Sequence, residues 1–281
     1  MVRLNNNQNQ NNSISPYRDV LKGLWNAKVM IILALAAVMV RLSYVSGQPE
    51  AAPPGTVTTS EVVNRSEELV GKSVTVRSKP LQTVGSTSFT VSDRQYFGGE
   101  PILVINASGQ PFDLPSDGNT EVQITGEVRN LVLPDIEREF NLKLQEEYYG
   151  DYVGKPAIIA RSITLAPAPA EIATKPNSYY GKKLVVTGAV ENIQSPVLFS
   201  LQKNQLLDGS GLLVLLKTPP TVAINEGQIV AVVGVVRPFV AAEVEREYKV
   251  NWDLKVKRQL ETAYKNRPIL LAEAVYPSES L

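Results

Sequence analysis

From about residue 70 to residue 277 the chain switches between two apolar rhythms. Alternation at Val74, Val76 and at Val122, Ile124 predicts half-buried strands, and the apolar runs "PILVIN" (101–106) and "GLLVLL" (211–216) predict further strands rich in branched residues. Two charged segments follow a four-residue rhythm instead. In "PDIEREFNLKLQEEYYGDYVGKP" the apolar positions are Ile136, Phe140, Leu144 and Tyr148, which predicts a helix that Asp135 can cap. In "AAEVEREYKVNWDLKVKRQLETAYKNRP" they are Val244, Tyr248, Trp252, Val256, Leu260 and Tyr264, although the alternation of "YKVNWDLKV" (248–256) also fits a strand.

The pattern occurs twice. At an offset of 110, "VGKSVTVRSKPLQTVGSTSFTVSD" (70–93) lies over "YGKKLVVTGAVENIQSPVLFSLQK" (180–203), pairing Gly71 with Gly181 and Phe89 with Phe199. At 108, "VQITGEVRN" meets "VAVVGVVRP" and "IEREF" (136–140) meets "VEREY" (244–248); at 112, "KPAIIARSI" meets "RPILLAEAV". Offsets that drift only between elements are the mark of changed loop lengths in duplicated units. Each copy has a long Gly-led strand, a strand around the Phe and a third apolar strand. A fourth carries a central glycine (Gly126, Gly234) that marks a bulge or tight bend, and a fifth follows a proline after the charged segment.

Five strands in this order resemble the OB-fold, a small Greek-key barrel. The resemblance implies a mainly β protein of two tandem OB-like five-stranded barrels, over 59–167 and 168–281. It departs from the family in one respect: the helix falls between strands 4 and 5 rather than between strands 3 and 4. Glu137, Arg138 and Glu139, like Glu245, Arg246 and Glu247, are expected at the wet positions of a helix plugging a barrel end, not as a catalytic pair.

Upstream, the polar tract "NNNQNQNN" predicts a disordered tail over 1–23, and "GQPEAAPPGT" belongs to a Pro-rich linker over 46–58. Between them "VMIILALAAVMV" (29–40) covers only about 18 Å as a helix. The flanks extend it: Trp25 and Tyr44 bracket about 29 Å at helical rise, and Lys28 and Arg41 can snorkel outward, so one transmembrane helix or signal anchor is expected over 24–45. A cleavable signal, with Val45 and Gly47 before the cut, is the alternative. Arg3, Arg18, Lys22 and Lys28 precede the span and Arg41 alone closely follows it. By the positive-inside rule the N-terminus is cytoplasmic, and the barrels lie on the periplasmic or lumenal side of a bacterial cytoplasmic membrane.

Composition narrows the chemistry. The 281 residues include no Cys and no His, which removes thiolate and imidazole metal sites, the Cys nucleophile and the usual general base. Net charge is zero, but residues 51–167 carry 10 basic and 15 acidic groups and residues 168–281 carry 13 and 11. "GDYVGKP" (150–156) lacks the spacing of a phosphate loop, and "FDLPSDGN" (112–119) places Pro115 and Ile124 where a calcium loop needs ligands, so both read as turns. No catalytic, metal or cofactor site is assigned. Lys255, Lys257, Arg258, Lys265 and Arg267 form a basic stretch, a contact for a polyanion or a protein partner. The expectation is therefore a non-enzymatic, membrane-tethered interaction or scaffold protein with a protein partner at or near the membrane. The alternative is a tethered binder of single-stranded nucleic acid or another polyanion through the second barrel. The acidic first barrel and its few strand aromatics argue against nucleic acid, and a small-molecule ligand is left open.

Overall fold

The structure, a computed structural model, describes residues 56–92, 100–202 and 211–278. The expected tail, the anchor with Trp25, Lys28, Arg41 and Tyr44, and nearly all of the linker lie outside the described residues. Among the described residues no helix is long and apolar enough to cross a membrane. Residues Ala52–Leu281 form one compact unit.

The protein is mainly β. Strand β1 (Thr56–Val57) and helices α1 (Thr59–Asn64) and α2 (Ser66–Leu69) precede β2 (Ser73–Val84), β3 (Ser88–Ser92), β4 (Ile102–Asn106) and β5 (Val122–Asn130). Helix α3 (Leu133–Phe140) and two 3-10 turns lead to β6 (Pro156–Leu165). Then come α4 (Pro169–Thr174), β7 (Lys183–Ser195), β8 (Leu198–Gln202), β9 (Leu212–Leu216), β10 (Ile229–Pro238), α5 (Ala241–Tyr248), α6 (Leu254–Tyr264) and β11 (Pro268–Pro277).

Pairing closes a five-stranded barrel. β2 pairs β3 and β3 pairs β4, both antiparallel; β4 pairs β6 in parallel; β6 pairs β5 and β5 pairs β2, again antiparallel. Strands β2, β3 and β4 form a meander and β5 returns beside β2, which is the Greek-key order. The same five pairings recur among β7, β8, β9, β11 and β10. No helix lies between β4 and β5 or between β9 and β10, and α3 and α5–α6 stand before the last strand of each cycle, as the sequence indicated.

The charged segments do not plug the barrel ends. Alternate residues of β4 and β6 point in opposite directions. Ile102, Val104, Ile158 and Ala160 join the interior cluster with Val76 and Phe89, whereas Leu103, Ile105, Ala157 and Ile159 meet Leu133, Ile136 and Tyr149 in a second cluster. Helix α3 therefore covers the outer face of the parallel β4–β6 pair. Helices α5 and α6 do the same with Leu213, Leu215, Ile269 and Leu271. A strand buried on both faces reads as an unbroken apolar run, which accounts for "ILVI" and "LLVLL". The helices that reach the interior clusters are instead α1, through Val62, α2, through Leu69, and α4, through Ile172.

Helix boundaries also differ from the spacing argument. Helix α3 begins at Leu133 with Pro134 in its first turn, so Asp135 lies inside the helix and bonds Arg138 at 2.7 Å instead of capping. It stops at Asn141, a left-handed C-cap, and Lys249 ends α5 in the same way at the offset of 108. The predicted stripe consequently breaks at its far end. Tyr149 is the buried tyrosine and Tyr148 is 48% exposed. In the second copy all six predicted apolar positions face one cluster, although two helices carry five of them and Trp252 lies in 249–253, which is neither helix nor strand.

The strand glycines are forced by a close approach. Register slips between Thr125 and Gly126 opposite β6, and between Val233 and Gly234 opposite β11. A Cβ at Gly126 would run into the Ile159 carbonyl oxygen, and one at Gly234 into that of Leu271. Each bulge lets a central strand bend hard enough to close its cycle.

Candidate functional site

The repeated Glu-Arg-Glu is a two-armed clasp. Its second glutamate reaches the arginine near the end of the fourth strand: Arg129 Nη2 to Glu139 Oε2 is 2.8 Å, and Arg237 Nη1 to Glu247 Oε2 is 2.7 Å. Its first glutamate holds the segment that follows. Glu137 Oε1 accepts the Leu144 N–H at 2.7 Å, and Glu245 Oε2 accepts from Lys257 Nζ at 2.6 Å. Hydrogen bonds to Glu127 and Glu139 raise the Arg129 pKa, and that to Glu245 raises the pKa of Lys257. Each carboxylate thus faces a cation or an N–H within its own copy, which fastens the covering segment to the barrel. Exposure limits each arginine arm to about 0.2–1 kcal/mol.

The basic stretch is not one patch. Lys257 is committed to Glu245, and Arg267 begins the turn into β11 and is half-buried. Lys255 and Arg258 remain exposed on α6 near Leu254, which is 73% exposed, and Lys265 is exposed just past the end of the helix. The aromatic rings nearby turn inward: Phe239 packs on Trp252 at 6.3 Å and on Tyr264 at 6.2 Å between ring centroids. Phe89 and Phe199 are buried in the interior clusters, and Phe89 stacks on Phe112. Phe239, Tyr264, Phe89 and Phe199 are buried, and Trp252 and Phe112 are half-buried against them.

Sequence reasoning missed the junction between the two strand cycles. Arg77, almost wholly buried, bonds the Glu121 carboxylate at 2.8 Å and the Ala166 carbonyl at 2.7 Å. The Ala166 N–H donates to the Glu121 carbonyl oxygen. The Thr120 and Tyr179 hydroxyls lie 3.0 Å apart, and Leu165 of β6 pairs Leu184 of β7. Asp117 completes this region. Its Oδ1 accepts the Asn119 and Thr120 N–H groups and its Oδ2 the Thr120 hydroxyl, so the loop around it is the expected turn. Burial raises the Asp117 pKa, but these hydrogen bonds and the Lys175 charge outweigh it and leave the pKa below the ordinary value. Burial also raises the pKa of Tyr179, against the hydrogen bond it shares with Thr120. Two signals were legible in retrospect. Thr58 and Glu61 form a capping box at α1, and Glu171 accepts the Ala168 N–H at α4, 110 residues on.

A cavity of about 310 Å³ opens between the α1–α2 segment and the starts of β4 and β6. Val63, Ser66, Ile102 and Tyr152 line it, and Glu100 and Lys155 face each other there at 3.7 Å. Tyr152, Gly154, Lys155 and Pro156 of "GDYVGKP" line it, and none of Lys255, Lys257, Arg258, Lys265 and Arg267 does.

No protein-family model matches the chain, and no curated protein matches it in sequence. Among solved structures, one similar chain is a crystal structure described as an aspartyl-tRNA synthetase from Leishmania major Friedlin, with 12% identity and a TM-score of 0.24. The match covers 47% of this chain and only 26% of that one, and so weak a superposition carries no argument. The class rests on the strand pairings alone: a mainly β protein with a closed, OB-like five-stranded Greek-key barrel.

Proposed function

We propose that the protein is a non-enzymatic, membrane-tethered interaction or scaffold protein built from two copies of an OB-like module held outside the cytoplasmic membrane. One observation carries the reading: the chemistry-bearing residues singled out from the sequence are largely committed to holding each copy folded. The Glu-Arg-Glu clasps bind barrel to cover, the strand aromatics fill the cores, and Asp117 holds a turn. What differs between the copies is the charge of the outer segments, and that is where partner choice resides. The polyanion alternative gains no support, because its cations are split and the rings near them are buried or half-buried.

The test is photo-crosslinking of the full chain in cells, with the reactive group placed in turn on the exposed positions of 145–153 and of α6. A discrete partner of membrane or envelope origin is expected at one or both surfaces. Absence of any adduct at every position would refute the reading.

A further inference from the structure

The covers of the two barrels carry opposite charge on surfaces that are exposed among the described residues. After α3, residues 145–153 expose Glu146, Glu147 and Asp151 around Tyr148, 48% exposed, and Val153, 53% exposed. In the second copy, α6 exposes Leu254, 73% exposed, at its start, Lys255 and Arg258 on its first turns and Lys265 just past its end. Among the described residues none of these six charges enters an ion pair of 4.0 Å or less. Lys143 and Lys155 flank the acidic surface and Asp253 and Glu261 the basic one; Lys155 is turned to Glu100 and Asp253 caps α6 at the Val256 N–H. Each surface thus combines exposed apolar residues with one dominant charge, and the two charges are opposite in sign.

We propose that these surfaces meet between copies of this chain, the acidic 145–153 surface of one against the α6 face of the next. The partner named is a second copy, which deepens the scaffold reading and rests on it. Such a contact is heterologous, since two different surfaces meet. Roughly ten residues a side is below the 20–30 of a stable interface, so the contact belongs to the weak, electrostatically steered class. Tethering to one membrane raises the local concentration and makes a weak contact sufficient.

The chain has no cysteine, which allows a clean test. Two full-length copies with different tags are co-expressed, one carrying Val153→Cys and the other Leu254→Cys, and an oxidant is added. A disulfide-linked heterodimer is expected, well above that from a pair with Thr174→Cys in place of Leu254→Cys. Adding E146K, E147K and D151K to the first copy should lower the yield about tenfold or more, and K255E, R258E and K265E on the second should then restore it. Circular dichroism of each variant checks folding. A yield indifferent to charge reversal, or no rescue by the second set in folded protein, overturns the proposal. Photo-crosslinking reports any envelope partner and this assay only a second copy, so the two claims fail separately.

Discussion

Gly234→Ala is the sharpest test of the bulge that closes the second cycle. The added Cβ would strike the Leu271 carbonyl oxygen and lie 3.0 Å from both Leu271 C and Ala272 Cα. All three are backbone atoms of a strand paired along its length, so no side chain can swing aside and β10 must part from β11. Overpacking of this kind costs about 1–3 kcal/mol, and loosening one or two ladder hydrogen bonds adds about 1 kcal/mol each. The expected total is about 3 kcal/mol. At a urea dependence of about 2 kcal/mol per molar, the midpoint falls by about 1.5 M. Trp252 reports the event because it packs on Phe239 within the cover of that barrel, and Trp25→Phe removes the only other tryptophan. Gly227→Ala is the control: its φ is +78° but nothing lies within 4 Å of the new Cβ, so it costs only about 1–2 kcal/mol of backbone strain. Equal shifts for the two variants, or a shift below about 0.3 M for Gly234→Ala, would refute the close-approach argument.

Further expectations follow from the same packing. Tyr149→Phe removes the buried partner 2.9 Å from the Ser88 hydroxyl and should cost about 1–2 kcal/mol in urea unfolding. Arg77→Met strips the Ala166 carbonyl and the Glu121 carboxylate of their shared donor and should destabilise by about 2–3 kcal/mol; a change under about 0.5 kcal/mol would show that the junction is not tied there. A double-mutant cycle on Arg237→Ala and Glu247→Ala should give a coupling of about 0.2–1 kcal/mol, as an exposed clasp implies. The Asp117 pKa is lower folded than unfolded. Its stabilisation is therefore full above the ordinary aspartate value and lost as pH falls through the folded one, so Asp117→Asn should flatten the acid limb of stability against pH.

The repeat made most of the barrel legible, because duplicated sequence aligns every strand with its counterpart. Gly126 and Gly234 were readable as bulges since a glycine amid branched strand residues has few other uses. The role of the charged segments was not readable. A four-residue rhythm says that one face is buried but not against what, and only the double-sided burial of β4, β6, β9 and β11 reveals the outer sheet face as the answer. Asn141 and Lys249 stop their helices through backbone geometry that neither side chain announces, so the stripe was carried one residue wrong, to Tyr148 in place of Tyr149. The junction stayed hidden for another reason. Arg77, Thr120 and Tyr179 have no counterparts in the repeat, and their partners lie 44, 59 and 89 positions away.

The proposed function requires the barrels to stand outside the membrane on a tether. Protease treatment of intact spheroplasts bearing a C-terminal tag tests it most directly, with the size of the untreated band reporting whether residues 1–47 are retained. A full-length species whose tag is lost to external protease is expected. A tag protected until the membrane is opened would contradict it.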